Sequence, residues 1–302
     1  MSAPDAASSL VILAAGLGSR YGDAKQVEGI GPGGEWLLEY AIHDALAAGF
    51  SRIVLVIRPV LRDALSRRLA TPLQGRAELH MVEQSVELVP AGCRIPNGRE
   101  KPLGTGHALW CCAPLLQSPF AVINADDYYG REAFSLLAGH FRRHGQPAMV
   151  GYRLAATLSE HGGVNRGICR VDRDGQLAGV DEFTDIAERE GSLTGTGPDG
   201  ARRELAPDSV VSLNCWGLWP DILPGLEQGL RAFLAQAGPK DEYFLPHAIA
   251  SHLAARRESL AVLATRDAWM GLTWPEDRPR VRNAIASLHA ADAYPTPLWS
   301  GT

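Results

Sequence analysis

Short apolar runs that alternate with helix-like stretches constrain the fold of this sequence more than any other feature. Three of them are LVILAA (10–15), RIVLVI (52–57) and FAVINA (120–125), and ELHMVEQ (78–84) is a weaker fourth. Such runs are too short for helices and are typical of strands buried in a sheet. Strands and helices that alternate with short links predict parallel pairing through right-handed crossovers. The fold class is therefore α/β, and ligands of such sheets bind at the carboxyl ends of the strands.

The remaining sequence predicts further elements. Helices are expected over 36–49, from Pro59 to Leu69, over 106–116 with Thr105 as N-cap, over 131–144 and over 222–237. AMVGYRL (148–154) and GICRVDRDGQLAGVDEFT (167–184) predict antiparallel strands, the second with an Asp174-Gly175 turn, and VVSLNCWGLWP (210–220) predicts another strand. Residues 86–102 and 190–207 are expected to be irregular loops. We expect a single domain over 1–302.

Composition excludes several classes of partner. Of the 302 residues, 46% are hydrophobic and 21% are charged, and the net charge is −5, which argues against a broad nucleic-acid or anionic-membrane surface. The five cysteines form no CxxC pair, so we expect reduced, mostly buried thiols. No apolar run approaches the ~20 residues of a membrane span. The leader MSAPDAASS has no basic residue, so no secretory signal is expected and a cytoplasmic location is predicted.

A glycine-rich bend follows the first strand and carries two cations. Gly16, Gly18 and Gly22 precede or flank Arg20 and Lys25. The Walker A pattern is absent, because no Gly-Lys-Ser/Thr occurs here. A dinucleotide fingerprint needs its third glycine one place earlier, although an arginine after the second strand would suit NADP. The third interpretation is a loop that wraps a triphosphate and supplies its own cations, and the bland alternative is a turn with surface charges.

Several segments, in order, resemble the sugar-1-phosphate nucleotidyltransferases, the NDP-sugar pyrophosphorylases. They are LAAGLGSR with Lys25, MVEQ, PLGTGHALW, INADDYYG, GVNRGICRVDRDG with DEF, SLNCWGLW and DEYFLPHAI. The resemblance covers most of residues 9–285, and it implies a nucleotide-binding half at about 9–150 and a sugar-phosphate-binding half at about 151–285. It implies a three-layer, Rossmann-like mixed sheet, mostly parallel and of the GT-A-like nucleotidyltransferase type. It also implies the reaction of a nucleoside triphosphate with a sugar 1-phosphate to give an NDP-sugar and pyrophosphate.

The resemblance assigns roles to individual residues. Arg20 and Lys25 would be the catalytic cations, and Asp126 would hold Mg²⁺. The residues implied to bind the nucleotide are Ala14, Ala15, Gly16, Gly18, Ser19, Gln84, Gly104 and Thr105. Those implied to bind the acceptor are Gly167, Glu182 and Asn214. The Gln84 amide can donate and accept at once, which favours a pyrimidine and hence UTP or dTTP.

Two departures from the family pattern stand out. The family often has a second metal-binding aspartate after a tryptophan near the C-terminus, and AWMGLTWPED places Gly271 or Leu272 there. Either the metal has fewer protein ligands, or Thr273 or Asp277 substitutes for the aspartate. The second departure is the long 86–102 segment, which is expected to be a lid or to shape the acceptor site.

The sequence leaves three alternatives open. One is a nucleotidyltransferase that acts on a non-sugar phosphate, in the manner of a cytidylyltransferase. The others are an NADP-dependent oxidoreductase and a non-catalytic nucleotide-binding protein. Neither the identity of the sugar nor the formation of a homo-oligomer follows from the sequence.

Overall fold

The computed structural model describes residues 8–16, 29–159, 162–189, 191–272 and 276–300. The strands are β1 (Ser9–Leu13), β2 (Arg52–Ile57), β3 (Glu78–Glu83), β4 (Phe120–Asn124), β5 (Asp127–Tyr128), β6 (Ala148–Arg153), β7 (Val164–Val171), β8 (Leu177–Arg189), β9 (Ser192–Thr196), β10 (Arg202–Glu204), β11 (Val210–Leu218), β12 (Ala261–Ala264) and β13 (Met270–Gly271). The helices are α1 (Leu37–Ala48), α2 (Arg62–Leu73), α3 (Thr105–Cys111), α4 (Arg131–Arg143), α5 (Ile222–Leu234), α6 (Leu245–Arg256) and α7 (Asp277–Ala290). Across these ranges, no helix has the length and apolar character needed to cross a membrane.

The chain forms two compact units that alternate along the sequence. The first comprises Met1–Leu17, Gly49–Ala125 and Gly217–Ser259. The second comprises Gly18–Ala48, Asp126–Trp216 and Leu260–Thr302. Each unit therefore draws on both halves of the sequence, and no single cut of the chain would separate them.

The core of the first unit is a parallel sheet in the order β4-β1-β2-β3. The central strands are sealed from solvent, since every residue from Ile53 to Ile57 has an exposed fraction of 0%. Helix α3 packs on β1 and β2 and also on α5 and α6. The predicted parallel pairing of these four strands is thus confirmed.

Two predicted helices of the first unit have different bounds in the structure. The segment at Pro59 begins as a 3₁₀ turn (Pro59–Leu61), and α2 then runs from Arg62 to Leu73, beyond the predicted end at Leu69. The helix expected over 106–116 breaks after Cys111 and continues as a second 3₁₀ turn, Ala113–Leu115. Pro114 lies in that turn and has no N–H to donate to a helical hydrogen bond, which explains the break.

The second unit contains a mixed sheet in the order β10-β9-β8-β7-β11, with β6 pairing to β11 and β12. The predicted β7–β8 hairpin is confirmed, and Gly175 in its turn has a φ of 75°. The expectation of antiparallel pairing for AMVGYRL is wrong at β12, which pairs with β6 in parallel. The expected loop over 190–207 is also wrong, because it contains the antiparallel hairpin of β9 and β10.

The cysteines behave as expected from their number and spacing. All five are free, four of them are buried, and Cys93 is partly exposed. Burial raises the pKa of Cys111 and of Cys169 to about 12. These two thiols are therefore protonated at neutral pH and are poor nucleophiles.

A buried polar chain holds the C-terminal segment in the second unit. The Tyr294 hydroxyl donates to Asp44 Oδ2 at 2.6 Å and lies 2.9 Å from the Tyr128 hydroxyl. Since the Tyr294 hydrogen is directed at the carboxylate, Tyr128 must donate to Tyr294. The Arg131 guanidinium lies over the Tyr294 ring, 4.6 Å from its centroid, and its Nε is 3.4 Å from Asp44 Oδ1. The chain links α1, α4 and the segment after α7.

Removing the Tyr294 hydroxyl should destabilise the protein more than removing a hydroxyl bonded to a neutral acceptor. Tyr294→Phe deprives a buried carboxylate of a donor, and we expect a loss of about 2 kcal/mol in the free energy of unfolding. Tyr243→Phe is the matched control, because the buried Tyr243 hydroxyl donates to the Leu226 carbonyl at 3.0 Å and its loss should amount to about 1 kcal/mol. Urea denaturation measures both, and equal losses would contradict this ranking.

Candidate functional site

The carboxyl ends of the four parallel strands bring several predicted nucleotide-binding residues to one edge of the first unit. Ala14 follows β1 and donates its N–H to Val56 O at 2.8 Å, and Gln84 follows β3 and donates its N–H to Ile57 O at 3.0 Å. Both residues therefore continue the ladder on either side of β2. Two strand spacings separate β1 from β3, which is about 10 Å.

The opening glycine motif is described only in part. Ala14 and Ala15 are buried and Gly16 is exposed. A Cβ built on Gly16 meets no atom of the described chain within 4 Å, so packing within that part of the chain does not require a glycine there. Gly18, Ser19, Arg20 and Lys25, the other residues implied at this motif, lie outside the described residues.

Gln84 is 6% exposed and its amide is held by two neighbours. Its Nε2 donates to Gly104 O at 3.0 Å and lies 3.1 Å from His107 Nδ1. The His107 Nε2 in turn is 2.6 Å from Leu88 O. Both amide hydrogens of Gln84 are therefore engaged, and its Oε1 is the group that remains for a ligand. This differs from the expectation that the amide would donate and accept at once.

The glycines of PLGTGHALW are explained by packing. Gly104 has a φ of 101°, and a Cβ built on it would lie 2.8 Å from Tyr243 O and 2.9 Å from Tyr243 N. A Cβ on Gly106 would lie 2.7 Å from the Tyr243 ring. The close approach of α3 to the start of α6 therefore demands small residues, independently of any ligand.

Thr105 has a different local role from the expected N-cap of α3. Gly104 is the N-cap residue and makes no side-chain cap bond, while Thr105 is the first residue of the helix. The Thr105 Oγ1 accepts a hydrogen bond from the N–H of Leu245 at 2.9 Å, the first residue of α6. It thereby satisfies one of the unpaired N–H groups that every helix start presents. The Thr105 hydroxyl hydrogen is left to donate elsewhere.

The 86–102 segment contains no strand or helix, as predicted, and Arg99 fixes its C-terminal end. Arg99 is 8% exposed. Its guanidinium donates to four backbone carbonyls, those of Lys101, Pro102, Pro239 and Asp241. The contacts to Pro239 and Asp241 attach the segment to the chain that leads into α6.

Two further contacts anchor the N-terminal part of this segment. His107 bonds to Leu88 O, as described above, and the Arg231 Nη1 donates to Ala91 O at 2.8 Å. The segment is thus attached to the body of the first unit at three places along its length. These anchors argue against the expectation that it is a lid.

In the second unit, the two aspartates that follow β4 have different environments. Asp126 lies in a turn and is exposed, whereas Asp127 begins β5 and is 8% exposed. Asp127 Oδ2 is 3.1 Å from the Tyr129 hydroxyl, which is also 3.0 Å from Leu213 O. Both of these atoms accept, so the one hydroxyl hydrogen is shared between them. Of the two carboxylates, that of Asp126 faces solvent.

Gly271 and Leu272, which stand where the family often has its second aspartate, lie beside the two aspartates that follow β4. Gly271 pairs with Asp127 across β5 and β13, and the N–H of Leu272 donates to Asp126 O at 3.4 Å. Neither Gly271 nor Leu272 has a side-chain ligand atom. Asp277 is buried at the start of α7, where its Oδ1 accepts from the Ser159 hydroxyl at 3.1 Å. Thr273, the other predicted substitute, lies outside the described residues.

Arg166 places a partly buried positive charge close to Asp127. Its guanidinium lies over the Trp269 ring, 4.8 Å from the centroid, and donates to the Thr157 carbonyl at 2.6 Å. Burial lowers the pKa of Arg166, and the carboxylates of Asp127 and Asp277 raise it. The guanidinium therefore balances two buried carboxylates.

The three residues implied to bind the acceptor lie on neighbouring strands. Gly167 on β7 pairs with Glu182 on β8 and with Ser212 on β11. A Cβ built on Gly167 would be 2.7 Å from Val180 Cγ1 and 3.2 Å from Glu182 Oε1, so packing against these two side chains already favours a glycine there. Asn214 has a φ of 57°, and its Oδ1 is 3.4 Å from Trp216 Nε1. The left-handed backbone interrupts the regular alternation of side chains along β11 at this position.

The structure also shows functional candidates that the sequence did not single out. His107 and Arg99 are buried polar side chains, Arg166 is a partly buried one, and backbone carbonyls accept hydrogen bonds from all three. The carbonyl groups of Leu88, Pro239 and Thr157 that accept these bonds are 19, 140 and 9 residues away in sequence. No local sequence pattern therefore indicates these contacts. His107 is the exception in part, because it stands inside PLGTGHALW.

Comparisons with known proteins identify the fold. No protein-family model matches the sequence, and no curated protein matches it. Solved structures do match. A UDP-glucose pyrophosphorylase complexed with UDP-glucose aligns with 92% of this chain and 97% of its own at 18% identity and a TM-score of 0.59. The inositol-1-phosphate CTP transferase from T. maritima aligns with 92% of this chain and 96% of its own at 15% identity and a TM-score of 0.60.

A third structure agrees with these two. A UDP-glucose pyrophosphorylase from Acinetobacter baumanii aligns with 95% of this chain and 94% of its own, at 17% identity and a TM-score of 0.56. This chain therefore has the mixed α/β fold of nucleotidyltransferases over nearly its full length, and the resemblance seen in the sequence is confirmed at the level of the fold.

Replacing Arg99 should release the 86–102 segment. Arg99→Met keeps the apolar stem and removes the donors to four carbonyls, so we expect a loss of about 2–4 kcal/mol in unfolding free energy. Cleavage within 86–102 in limited proteolysis should become faster. Arg94→Met is the control, since Arg94 is exposed in the same segment and its loss should change stability by less than about 0.5 kcal/mol. Similar proteolysis of the two variants would contradict the anchoring role.

Proposed function

We propose that this chain is a nucleotidyltransferase that condenses a nucleoside triphosphate with a sugar 1-phosphate to give an NDP-sugar and pyrophosphate. The fold supports the class, because the similar structures are of two UDP-glucose pyrophosphorylases and an inositol-1-phosphate CTP transferase. The observation that carries the proposal is the position of residues 13–16, the described start of the glycine motif. They leave the carboxyl end of β1 at the sheet edge that also presents Gln84.

The chemistry needs cations more than a general base. A phosphate oxygen of the acceptor attacks the α-phosphorus in line, the bond to the β-phosphate oxygen breaks, and pyrophosphate leaves. The attacking phosphate is already a nucleophile, so positioning and charge neutralisation supply the catalysis. In this proposal Arg20 and the amides of the glycine loop bind the β- and γ-phosphates. Lys25 neutralises the charge shared by the attacking phosphate and the α-phosphate.

Asp126 suits the metal that such a reaction employs. Mg²⁺ prefers oxygen ligands and is usually bound through one or two carboxylates, with substrate phosphates and water completing its shell. The exposed Asp126 carboxylate meets this requirement, and Leu272 beside it adds no second carboxylate. When bound, Mg²⁺ would neutralise charge on the phosphoryl oxygens. We propose Asp126 as its protein ligand.

The acceptor is proposed to bind on the β7–β8–β11 face. Glu182 is exposed and can accept hydrogen bonds from sugar hydroxyls, and Gly167, its cross-strand neighbour, is proposed to bring the backbone close to them. Asn214 offers an amide to the same ligand. A cyclitol phosphate presents the same hydroxyl chemistry as a sugar phosphate. The likeness to the inositol-1-phosphate CTP transferase, at a TM-score of 0.60, favours a non-sugar phosphate acceptor as the second candidate function.

Pyrophosphate release tests the class and names the substrates. UTP, dTTP, CTP, GTP and ATP are each combined with Mg²⁺ and a panel of sugar 1-phosphates and inositol 1-phosphate. We expect release with one nucleotide, UTP or dTTP, and one sugar phosphate. Release only with inositol 1-phosphate would support the second candidate, and no release from any pair while nucleotides bind would leave a non-catalytic nucleotide-binding protein.

Two charge-removing variants test the assigned catalytic groups. Lys25→Ala and Asp126→Asn should each lower kcat by about 100-fold or more while the unfolding midpoint stays near that of the wild type, because each removes charge stabilisation at the reacting phosphates. Lys101→Ala and Asp174→Asn are the controls, since both residues are exposed and lie far in sequence from Lys25 and Asp126. Turnover near the wild-type value in either test variant would refute that assignment.

A third variant tests the acceptor site. Glu182→Gln weakens hydrogen bonds to the acceptor hydroxyls, so we expect the acceptor KM to rise about tenfold and the nucleotide KM to stay unchanged. Asp181→Asn is a matched control, because its side chain points to the opposite face of β8 and pairs with Arg170. Equal effects of the two variants on the acceptor KM would remove Glu182 from the site.

A further inference from the structure

His107 is completely buried and lies between two segments that meet at the proposed nucleobase site. Its Nε2 is 2.6 Å from the Leu88 carbonyl oxygen, and its Nδ1 is 3.1 Å from Gln84 Nε2. Gln84 Nε2 is also 3.0 Å from Gly104 O. The four groups form one hydrogen-bonded chain within the first unit.

The carbonyl oxygens at the two ends of this hydrogen-bonded chain determine which atom carries each hydrogen. Leu88 O can only accept, so His107 must carry a proton on Nε2. Burial lowers the pKa of His107, which keeps the ring neutral and makes Nδ1 an acceptor. Gly104 O can only accept as well, so the amide nitrogen of Gln84 must face it. The second hydrogen of that nitrogen then points at His107 Nδ1.

The same constraints fix the orientation of the Gln84 side chain. Rotating the amide by half a turn would place Oε1 against Gly104 O and His107 Nδ1, which are both acceptors. Such a rotamer would leave Gln84 Oε1 and His107 Nδ1 without donors, while Gly104 O would keep only the N–H of Ala108. Unsatisfied buried polar groups are strongly unfavourable. In the observed orientation, Oε1 has no hydrogen-bond donor among the described residues.

We propose that His107 is a positioning residue that fixes the Gln84 amide with its oxygen toward the nucleobase, so that the site selects a base edge presenting an N–H. This inference rests on the proposed nucleotidyltransferase function. The imide N3–H of uracil or thymine meets the requirement. Cytosine placed in the same way presents an unprotonated N3, and two acceptors would then face each other. Its N4 amino group would reach Gln84 Oε1 only from a different placement of the base. His107 acts through Gln84 and does not touch the base.

Two variants of His107 separate positioning from mere packing. In His107→Gln the amide nitrogen can replace Nε2 as donor to Leu88 O, but no acceptor remains opposite Gln84. In His107→Asn the Oδ1 can replace Nδ1 as the acceptor for Gln84, but the bond to Leu88 is lost. We expect His107→Gln to lower the ratio of kcat/KM for UTP or dTTP over CTP about tenfold. His107→Asn should keep most of that ratio, even if it is the less stable variant.

Nitrogen NMR supplies a readout that does not depend on activity. In protein labelled with ¹⁵N-histidine, and with His107→Gln used to assign the signal, we expect His107 to be protonated at Nε2 and unprotonated at Nδ1 from pH 6 to 8. A ring protonated at Nδ1 would overturn the inference. Unchanged base discrimination in His107→Gln, or equal changes in both variants, would do so as well.

The failure of this inference is distinguishable from failure of the proposed function. If no nucleotide and acceptor pair releases pyrophosphate, the proposed function fails, and the inference fails with it. If pyrophosphate is released but the wild-type protein prefers CTP to UTP and dTTP, the class stands and the orientation rule for Gln84 is wrong.

Discussion

The parallel register of four strands is the constraint on which the proposed nucleotide site depends. Leu13, Val56 and Asn124 are aligned across β1, β2 and β4, and Val56 is aligned with Val82 on β3. All four strands therefore end at the same edge. The register alone brings the residues that follow the strands together.

Glycines near this edge separate into two groups with different physical reasons. Gly104 and Gly106 are required by the protein itself, since their missing side chains make room for Tyr243. Gly16 meets no such neighbour in the described chain and has open space beside it. A glycine that packing does not explain is the better evidence for the approach of a ligand. On this criterion Gly16 supports the nucleotide hypothesis more than the G-T-G segment does.

The fold could be predicted where burial dictates the residue pattern, and it could not where polar residues form exposed strands. The buried runs of β1, β2 and β4 left little alternative to a strand. By contrast, β10 reads Arg-Arg-Glu and is fully exposed, so its pairing with β9 carries no hydrophobic signal. In the candidate site, the sequence motifs were enough to indicate Gln84 and Asp126 as candidate residues. The hydrogen bonds that orient Gln84 did not, because Gly104 and His107 lie about twenty residues away.

Neighbouring side chains occupy the space that a second aspartate at position 271 would need. A Cβ at Gly271 would lie 2.4 Å from the Trp269 ring and 2.8 Å from Asp127 Oδ1, so an aspartate at 271 cannot coexist with the present arrangement. The Asp127 carboxylate and the indole already fill that space, and the Arg166 guanidinium lies over the same indole. A carboxylate is thus retained beside β13, but it is buried, shares the Tyr129 hydrogen and is balanced by an arginine. Asp126 is the exposed residue of the pair, and for that physical reason it is the one that we propose as the metal ligand.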